Sequence, residues 1–376
     1  MRGADVIVVG GGVVGCAAAY AIARERLSVV LVEADDVASG ASGVAAGMLA
    51  PVSEAASPGP LLRLGLASLA LFPDLVAELR ERSGIDPELE QRGSLRVAAT
   101  DDEARALRAR DRALPSFDLE WLDAAAARQL EPCLAPGIHG ALYCPHESQV
   151  RSPLFARALA AAAVSLGADL RLGVPVRGLV RDGARVRGVE TGAGRIEGAT
   201  VVLCTGLEAA HAPAWLGETS PLPALPIAPV RGQILSLAPR PGAPRTVVRG
   251  ASTYIVPRRD GSVAVGATEE RAVFDRRATA AGVAQLLGDA IRLVPALDDA
   301  GFAGAFAGLR PATPDQLPLV GPWPGVDGLV IAAGHHRSGV LLAPLTAQLV
   351  AGVVLGKGLP EEAAPLRPER FAALRA

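Results

Sequence analysis

Three glycines near the amino terminus have the spacing of a nucleotide-binding loop. Gly10, Gly12 and Gly15 follow the apolar run 6–9. In this pattern the first glycine permits a tight turn, the second lets a pyrophosphate approach the backbone, and the third lets helix and strand pack closely. In this pattern an acidic residue roughly 20 residues after the glycine loop binds a ribose hydroxyl. Glu33 lies at about this distance from the loop. The pattern predicts an ADP-binding unit, but the loop alone does not distinguish FAD from NAD.

A strand, a helix and a second strand must position these residues. Residues 6–9 are a continuous apolar run, typical of a parallel strand buried on both faces, and residues 28–32 are predicted as the next strand. A helix over 13–26 would direct its amino terminus, with its partial positive charge, at a phosphate. The Gly-, Ala- and Ser-rich segment 35–51 would let backbone N–H groups approach a long cofactor, and a flexible linker is the alternative interpretation.

The composition favours small-molecule chemistry in two packed domains. The chain has 376 residues, 50% of them hydrophobic, enough to fill one sizeable core or two smaller ones. A formal net charge of -2 gives no polycationic face for a nucleic acid. No run reaches the ~18 uncharged apolar residues of a membrane span, and no signal-peptide pattern opens the sequence. We therefore expect a cytoplasmic protein that binds neither nucleic acid nor membrane.

The cysteines and histidines do not have the spacing of a metal site. The 4 cysteines are far apart and form no CxxC pair, which fits a reducing compartment and buried structural cysteines. His335 and His336 lie in a glycine-containing loop, and no spaced carboxylate or cysteine completes a ligand set around them. No metal is predicted.

The rest of the chain mixes helical and strand patterns. The run 201–204, followed by Thr205 and Gly206, repeats the opening pattern, so the nucleotide-binding domain resumes there. A proline-rich patch at 220–232 marks a boundary, and Asp260-Gly261 predicts a hairpin. Helices are predicted over 61–82, 101–112, 153–166, 277–294 and 340–355.

Several short motifs in order resemble one flavoprotein superfamily. They are VGGGVVG with Glu33, SGASGVAAGML, TG at 205–206, VRGQ at 230–233, YIVPRRDGSVAVGAT, GLRPATPDQLPLVG and GHHRSGVLLAP. Together they resemble the FAD-dependent D-amino-acid oxidase and sarcosine oxidase superfamily, and within it the glycine oxidases of thiamin thiazole synthesis. The resemblance covers nearly the whole chain and implies FAD as the cofactor.

The resemblance also implies an α/β fold with an α+β second domain. A Rossmann-like FAD-binding domain, discontinuous in the sequence, would comprise residues 1–85, 146–220 and 302–376. A substrate-binding domain built on an antiparallel sheet would comprise 86–145 and 221–301. Superfamily members bind FAD extended across the first domain and cover the flavin with the sheet of the second.

Each stretch of the FAD-binding domain acquires a role from this resemblance. Residues 10–15 would hold the pyrophosphate, residues 33–34 the adenosine, residues 41–42 the phosphates, residues 46–48 the flavin ring, Val176 the adenine, and residues 335–341 the pyrimidine side of the flavin. The implied cofactor-binding residues are Gly10, Gly12, Val13, Val14, Gly15, Glu33, Ala34, Ala41, Ser42, Ala46, Gly47, Met48, Val176, Gly206, His335, His336, Arg337, Ser338, Gly339, Val340 and Leu341.

Three residues are candidates for binding and orienting the substrate. Arg310 lies between the apolar FAGAFAGL and a proline, where a charge needs a partner, and a guanidinium can hold a carboxylate bidentately. A surface arginine is the alternative. Tyr254 would donate its hydroxyl to the same carboxylate or simply be a half-buried strand aromatic. Arg337 matches a position near substrate and flavin, with a structural salt bridge as the alternative.

The implied activity is oxidative deamination of glycine or another small amino acid or amine, with oxygen as the electron acceptor. No side-chain base is required if the amine binds unprotonated. Two alternatives stay open: a D-amino-acid dehydrogenase that passes electrons to a non-oxygen acceptor, and a flavin-binding subunit without catalysis. The resemblance further implies a homotetramer.

Two departures from the superfamily change these expectations. Sarcosine oxidase carries a flavin-linking cysteine in the segment that corresponds to GLRPATPD, and no cysteine stands there, so non-covalent FAD is expected. Glycine oxidases often carry an apolar residue two positions after GAT, where this chain has Glu269 followed by Glu270. These acidic residues argue against a strict preference for glycine.

Replacing Glu33 with alanine should weaken FAD binding without altering the flavin spectrum, because a ribose contact far from the flavin ring is lost. A hydrogen bond to a charged group contributes about 1.5–3 kcal/mol, so the affinity should fall roughly tenfold to a hundredfold. Titration of the apoprotein with FAD measures this change. An unchanged affinity would contradict the role assigned to Glu33.

Overall fold

Two large β-sheets organise the chain in a computed structural model that describes residues 3–54, 58–113, 117–217, 222, 225–239 and 242–374. The strands are β1 (Ala4–Val9), β2 (Val29–Val32), β3 (Met48–Leu49), β4 (Ser94–Ala98), β5 (Glu120–Leu122), β6 (Gly140–Cys144), β7 (Ser148–Gln149), β8 (Asp169–Arg171), β9 (Val176–Asp182), β10 (Arg185–Thr191), β11 (Gly194–Leu203), β12 (Ala228–Ala238), β13 (Val247–Arg249), β14 (Tyr254–Pro257), β15 (Val263–Gly266), β16 (Glu270–Arg271), β17 (Gly301–Ala312), β18 (Leu319–Pro322) and β19 (Leu329–Ala333).

Helices connect and cover these strands. They are α1 (Val13–Arg24), α2 (Ala41–Val44), α3 (Pro51–Glu54), α4 (Pro60–Leu69), α5 (Phe72–Ser83), α6 (Asp101–Ala113), α7 (Ala124–Leu130), α8 (Ser152–Ser165), α9 (Ala212–Leu216), α10 (Ala280–Leu293) and α11 (Gly339–Val354). Short 3-10 helices occupy Gly206–His211, Pro295–Asp299, Glu361–Leu366 and Pro368–Leu374.

The first sheet has the order β18-β19-β11-β1-β2-β8, and β10 and β9 extend it from β11. The neighbours from β19 to β8 pair in parallel, whereas β18 pairs antiparallel with β19. Helices α1, α8 and α11 pack together and bury one apolar cluster, and a second cluster lies on the opposite face. Burial on both faces explains why residues 6–9 of β1, all of β2 and all of β19 are continuous apolar runs.

The second sheet has the order β16-β12-β15-β14-β13-β4-β6-β5, with β17 paired along the length of β12. Its pairs are antiparallel except for β13 with β4. Helix α10 covers one face and closes a third apolar core. On the other face, Ile234, Val256 and Tyr254 pack against Ala46 and Met48 from the segment after α2. The two sheets agree with the predicted fold class.

Two predicted elements differ from the structure. The helix predicted over 61–82 is two helices, α4 and α5, because Pro73 has no N–H to donate to the carbonyl of Leu69. The predicted domain boundary at 302 falls within β17, which is hydrogen-bonded to β12, so residues 302–312 belong to the second sheet. The boundary at 220–232 falls partly on residues 220, 221, 223 and 224, which lie outside the described residues. The domain division itself stays a prediction.

The helices were also compared with the length and apolarity of a membrane span. In the described part of the chain, no single helix is long and apolar enough to cross a membrane. Helices α4 and α5 are bent by 44° relative to each other. They reach the length and apolar composition of a span only when the two are taken together.

The glycine loop between β1 and α1 depends on missing side chains. Gly10 has φ +109°, and a Cβ there would lie 2.5 Å from the carbonyl oxygen of Cys204. A Cβ on Gly15 would overlap the carbonyl oxygen of Gly10, well inside van der Waals contact. Gly15 therefore allows α1 to pack directly on the turn, as the fingerprint predicts.

Gly15→Ala should destabilise the fold because backbone atoms, which cannot move aside, occupy the space of the new methyl group. Overpacking of this kind costs about 1–3 kcal/mol in the free energy of unfolding. Urea denaturation measures the loss. Gly137→Ala is the matched control, since nothing lies within 4 Å of its Cβ position; equal midpoints for the two variants would contradict the packing role.

Candidate active site

A cavity of about 1000 Å³ lies between the carboxyl ends of the first sheet and one face of the second. Segments that follow β1, β2, β11 and β19 line one side, and residues of β12, β14 and β17 line the other. In sheets of this kind, ligands bind beyond the carboxyl ends of the parallel strands. The fold therefore places the cavity where a nucleotide is expected.

Glu33 lines one end of the cavity and holds the glycine loop in shape. Its Oε2 accepts a hydrogen bond from the backbone N–H of Gly11, and its Oε1 accepts one from the N–H of Asp35 at 2.9 Å. A Cβ on Gly11 would lie 2.9 Å from the Glu33 side chain. The carboxylate is thus fixed beside the loop, with its orientation set by two backbone donors.

The small-residue segment after β2 is an ordered wall of the cavity. The Oγ of Ser42 accepts a hydrogen bond from the N–H of Val13 at 3.0 Å, and the Ser42 carbonyl accepts one from Ser152 at 2.7 Å. Gly47 has φ +76°, and a Cβ there would overlap the carbonyl oxygen of Val150. These contacts join the segment to α1, to the first residue of α8 and to Val150 before it, and they favour an ordered cofactor-binding segment over a flexible linker.

Arg258 connects this wall to the second sheet. Its guanidinium donates to the carbonyls of Ala46, at 2.5 Å, and Val150, at 3.2 Å. Burial lowers the pKa of Arg258 to about 10, so the side chain remains charged at neutral pH. The position of residues 46–48 above the cavity is therefore set by a buried cation bound to backbone oxygens.

The structure brings most of the predicted cofactor-binding residues to the cavity. Those that line it are Gly12, Val13, Val14, Glu33, Ala34, Ala41, Ser42, Ala46, Gly47, Met48, Gly206, His335, His336, Arg337, Gly339 and Val340.

Five predicted residues are not part of the lining. Gly10 and Gly15 shape the turn instead. Val176 begins β9 and packs on the second apolar cluster. Ser338 is the N-cap residue of α11, and Leu341 accepts a hydrogen bond from Ser68 through its carbonyl at 2.6 Å. These residues position the cavity wall without lining it.

The two histidines near α11 are neutral at physiological pH. Burial lowers the pKa of each to about 4. The ring of His335 bonds to the Thr346 hydroxyl at 3.0 Å, whereas the Nε2 of His336 is buried with no partner among the described residues. Within the same residues, no cluster of three or more His, Cys, Asp or Glu has the geometry of a metal site.

Arg310 on β17 points into the cavity beside β12. Its Nη1 donates to the carbonyl of Thr268 at 3.2 Å, and it forms no ion pair with a described carboxylate. The guanidinium lies over Gly232, where a Cβ would overlap its nitrogens. A glycine on the neighbouring strand therefore makes the room that Arg310 occupies.

A glycine on the neighbouring strand also makes room for the side chain of Tyr254. It faces Gly266 across the β14–β15 pair, and a Cβ on Gly266 would lie 2.5 Å from the Tyr254 hydroxyl. Burial raises the pKa of Tyr254, against a lowering influence of Arg310. The hydroxyl is therefore protonated at neutral pH and can donate a hydrogen bond into the cavity.

Arg337 fits both interpretations drawn from the sequence, a position in the cavity and a role in a structural salt bridge. It lines the cavity, and its guanidinium pairs with Glu54 at 3.4 Å and with Glu269 at 3.5 Å. Glu270, by contrast, is bound by Arg231 and by Gln233 at 2.7 Å. The hydrogen bond from Arg231 lowers the pKa of Glu270 to about 2, so this carboxylate is a charged structural anchor.

The sequence analysis does not single out several charged lining residues, and two of these, Arg249 and Glu54, form an ion pair near Tyr254. Arg249 is buried at the end of β13 directly opposite Tyr254, and its Nη1 lies 3.3 Å from the carboxylate of Glu54 in α3. The available signal was a charge in the apolar strand VVR, two residues before the tight turn that leads to Tyr254. Glu54 has no comparable signal, since a single acidic residue after a small-residue run is common.

Comparison with known proteins identifies consistent relatives. The profile of a family described as FAD dependent oxidoreductase matches residues 5–353. A glycine oxidase of Geobacillus kaustophilus is 39% identical over 365 residues, which cover 96% of this chain and 95% of that protein. A bifunctional ThiO/ThiG protein of Nostoc sp. is 37% identical over 93% of this chain and 52% of its own length. The crystal structure of the Geobacillus kaustophilus glycine oxidase superposes with a TM-score of 0.92 and covers 98% of both chains.

Gly232→Ala should displace the Arg310 guanidinium while leaving the fold intact, because the displaced group is the flexible end of a side chain. Misplacing a binding group by about 1 Å costs up to about a hundredfold, so binding of a small carboxylate such as acetate should weaken by roughly tenfold or more. Calorimetric titration measures this affinity. Gly178→Ala, with its nearest atom 3.9 Å from the Cβ position, is the control; equal affinities in both variants would refute the arrangement.

Proposed function

We propose that this chain, which belongs to the FAD-dependent oxidoreductase family, is an amino-acid oxidase of the glycine oxidase type. It deaminates glycine or another small amino acid or amine, such as sarcosine or a D-amino acid, oxidatively to an imine and then a 2-oxo acid. Oxygen accepts the electrons and leaves as hydrogen peroxide, and the product serves thiamin thiazole synthesis. The near full-length similarity to glycine oxidase supports this assignment.

One observation carries the substrate assignment. Arg310 is a guanidinium in the cavity wall that no described carboxylate neutralises, and the Tyr254 hydroxyl is a donor in the same cavity. A charge in such a place needs a partner. The carboxylate of an amino acid supplies one and can accept two parallel hydrogen bonds from the guanidinium.

The lining residues fit FAD. The cavity has the size of a large ligand pocket, and α1 begins at its wall with Gly12 as a cap that has no side chain. Two buried polar atoms of the lining, the Thr205 Oγ1 and the His336 Nε2, have no partner among the described residues. Glu33 and Ala34 would hold the adenosine, Val13, Val14 and Ser42 the phosphates, and residues 46–48 the flavin ring.

The protein contributes binding, orientation and exclusion of water. FAD, when bound, supplies the two-electron redox chemistry. Arg310 fixes the substrate carboxylate and thereby the direction of the Cα–H bond, while Tyr254 donates to the same group. Ile234, Val256 and Met48 form an apolar contact beside the site, which excludes water from the reacting atoms. Arg310, the one guanidinium near Tyr254 that no described carboxylate neutralises, favours the unprotonated amine, and an amine that binds unprotonated needs no side-chain base.

We also propose how FAD is held, where the protein is located and how its subunits assemble. FAD is held non-covalently, because GLRPATPD contains no cysteine. The described cysteines are free thiols, which supports a cytoplasmic location. The homotetramer rests on the family resemblance alone. A dehydrogenase with a non-oxygen acceptor would differ in reoxidation, so air reoxidation of flavin bleached anaerobically with glycine separates the two candidates.

Arg310→Ala should abolish efficient turnover of amino acids, because the bound carboxylate loses its partner in a site closed from water. Breaking a buried ion pair costs about 3–5 kcal/mol, so kcat/KM for D-alanine should fall by a factor of a few hundred or more. Ethylamine, which lacks only the carboxylate, should lose little. Arg310→Lys should rescue partly, since an ammonium group cannot form the two parallel bonds.

Arg276→Ala is the matched control, because Arg276 also lines the cavity. Its kcat/KM for D-alanine should stay close to that of the parent enzyme. FAD content and melting temperature are measured in every variant. If Arg310→Ala lost FAD, or impaired D-alanine and ethylamine equally, Arg310 would be a structural residue and Arg337 would be the next candidate.

A further inference from the structure

Five charged side chains meet at the substrate end of the cavity around Tyr254. They are Arg249, Arg310, Arg337, Glu54 and Glu269, and all five line the cavity. After burial, which raises the pKa of Tyr254, the influences on that hydroxyl come from Arg310, Glu54, Arg337 and Arg249. Charges on four separate segments of the chain therefore act on one small volume.

Four of these charges neutralise one another. The Oε1 of Glu54 lies 3.3 Å from Arg249 and 3.4 Å from Arg337, so one carboxylate bridges two guanidinium groups. Arg337 also lies 3.5 Å from Glu269. Two arginines and two glutamates thus form a neutral set, and Arg310 remains as a single positive charge.

The two arginines of this set differ in environment. The side chain of Arg249 is 10% exposed, whereas that of Arg337 is 40% exposed. A buried cation depends much more on its partner than an exposed one does, because water cannot replace the lost interaction. Glu54, which is 21% exposed, is the only described carboxylate that forms an ion pair with Arg249.

We propose that Glu54 is a specificity-determining residue that restricts the site to amines with one carboxylate. Its own carboxylate occupies the place beside Arg249 and Arg337 that the second carboxylate of a dicarboxylic substrate would take. This inference rests on the proposed function and deepens it. Arg310 binds the first carboxylate, and Glu54 repels a second one by its like charge.

Without the Glu54 charge, Arg249 would be a buried guanidinium with no ion-pair partner among the described residues, since the buried Glu147 acts on it only through a longer-range charge interaction. An external carboxylate would then be its natural ligand. The neutral set would then become a second carboxylate subsite. A single substitution should therefore convert discrimination against dicarboxylates into preference for them.

Two unreactive ligands of nearly equal shape test the charge alone. Succinate carries two carboxylates, and succinamate replaces one of them with an uncharged amide. Their dissociation constants for the FAD-loaded enzyme are measured from changes in the flavin absorption spectrum. The parent enzyme should bind succinamate at least about tenfold more tightly than succinate, because like charges side by side cost several kcal/mol.

Glu54→Gln should shift this ratio by roughly a hundredfold and reverse the preference, since it removes the repulsion and frees Arg249. The double variant Glu54→Gln with Arg249→Met should lose the gain for succinate. Glu208→Gln, which removes another carboxylate of the cavity lining, should leave the ratio within about threefold of the parent. This control distinguishes an effect of the Glu54–Arg249 ion pair from a general effect of removing a negative charge from the cavity lining.

Turnover provides a second measurement. In Glu54→Gln, kcat/KM for D-aspartate relative to its neutral isostere D-asparagine should rise by at least about tenfold. Tighter binding of succinate by the parent enzyme would overturn the proposal, and so would an unchanged ligand ratio in Glu54→Gln. If Glu54→Gln does not fold, the parent ratio and Glu54→Asp, which keeps the charge but withdraws it, still decide. If no amine is oxidised, the proposed function fails while the ligand measurements still test Glu54.

Discussion

The substrate end of the cavity depends on one unneutralised guanidinium. Arg310 lies in a wall where the neighbouring arginines Arg231, Arg249 and Arg337 all have carboxylate partners. A charge that is only partly solvated raises the free energy of the unliganded site, and a ligand carboxylate lowers it. The other charges around Tyr254 are paired, so Arg310 is the position at which we expect the substrate carboxylate to bind.

The register of the strands in the second sheet provides the space that the Arg310 guanidinium occupies. The pairing of β12 with β17 and of β14 with β15 sets a glycine beside each donor, Gly232 beside Arg310 and Gly266 beside Tyr254. Neither glycine has a positive φ, so their role is room and not backbone freedom. Donor side chains can then lie flat over the sheet and converge on the small volume below residues 46–48.

Local patterns predicted many of the residues that line one end of the cavity, and long-range pairing explains what they missed. The residues from Gly12 to Val14 lie within one strand-helix-strand unit, and Glu33 and Ser42 follow it within 10 residues, so spacing in the sequence determines their proximity in space. Arg249 and Glu54 are 195 positions apart, and only the fold brings them together. Likewise, the apolar sequence of β17 does not reveal that its partner strand is β12. The single helix predicted over 61–82 was wrong because an apolar period does not reveal the break that Pro73 imposes.

The titratable groups whose pKa is shifted at this cavity are shifted away from neutrality. Burial lowers the pKa of His335 and His336 to about 4, burial raises that of Tyr254, and the hydrogen bond from Arg231 lowers that of Glu270 to about 2. Both histidines are therefore neutral above roughly pH 5, while Tyr254 keeps its proton and Glu270 keeps its charge. None of these four groups changes its charge near pH 7. Oxidation of the amine therefore does not require any of them to gain or lose a proton. The group whose ionisation is then expected to matter most for binding is the amine of the substrate, because its positive form is disfavoured by Arg310, the one guanidinium near Tyr254 that no described carboxylate neutralises.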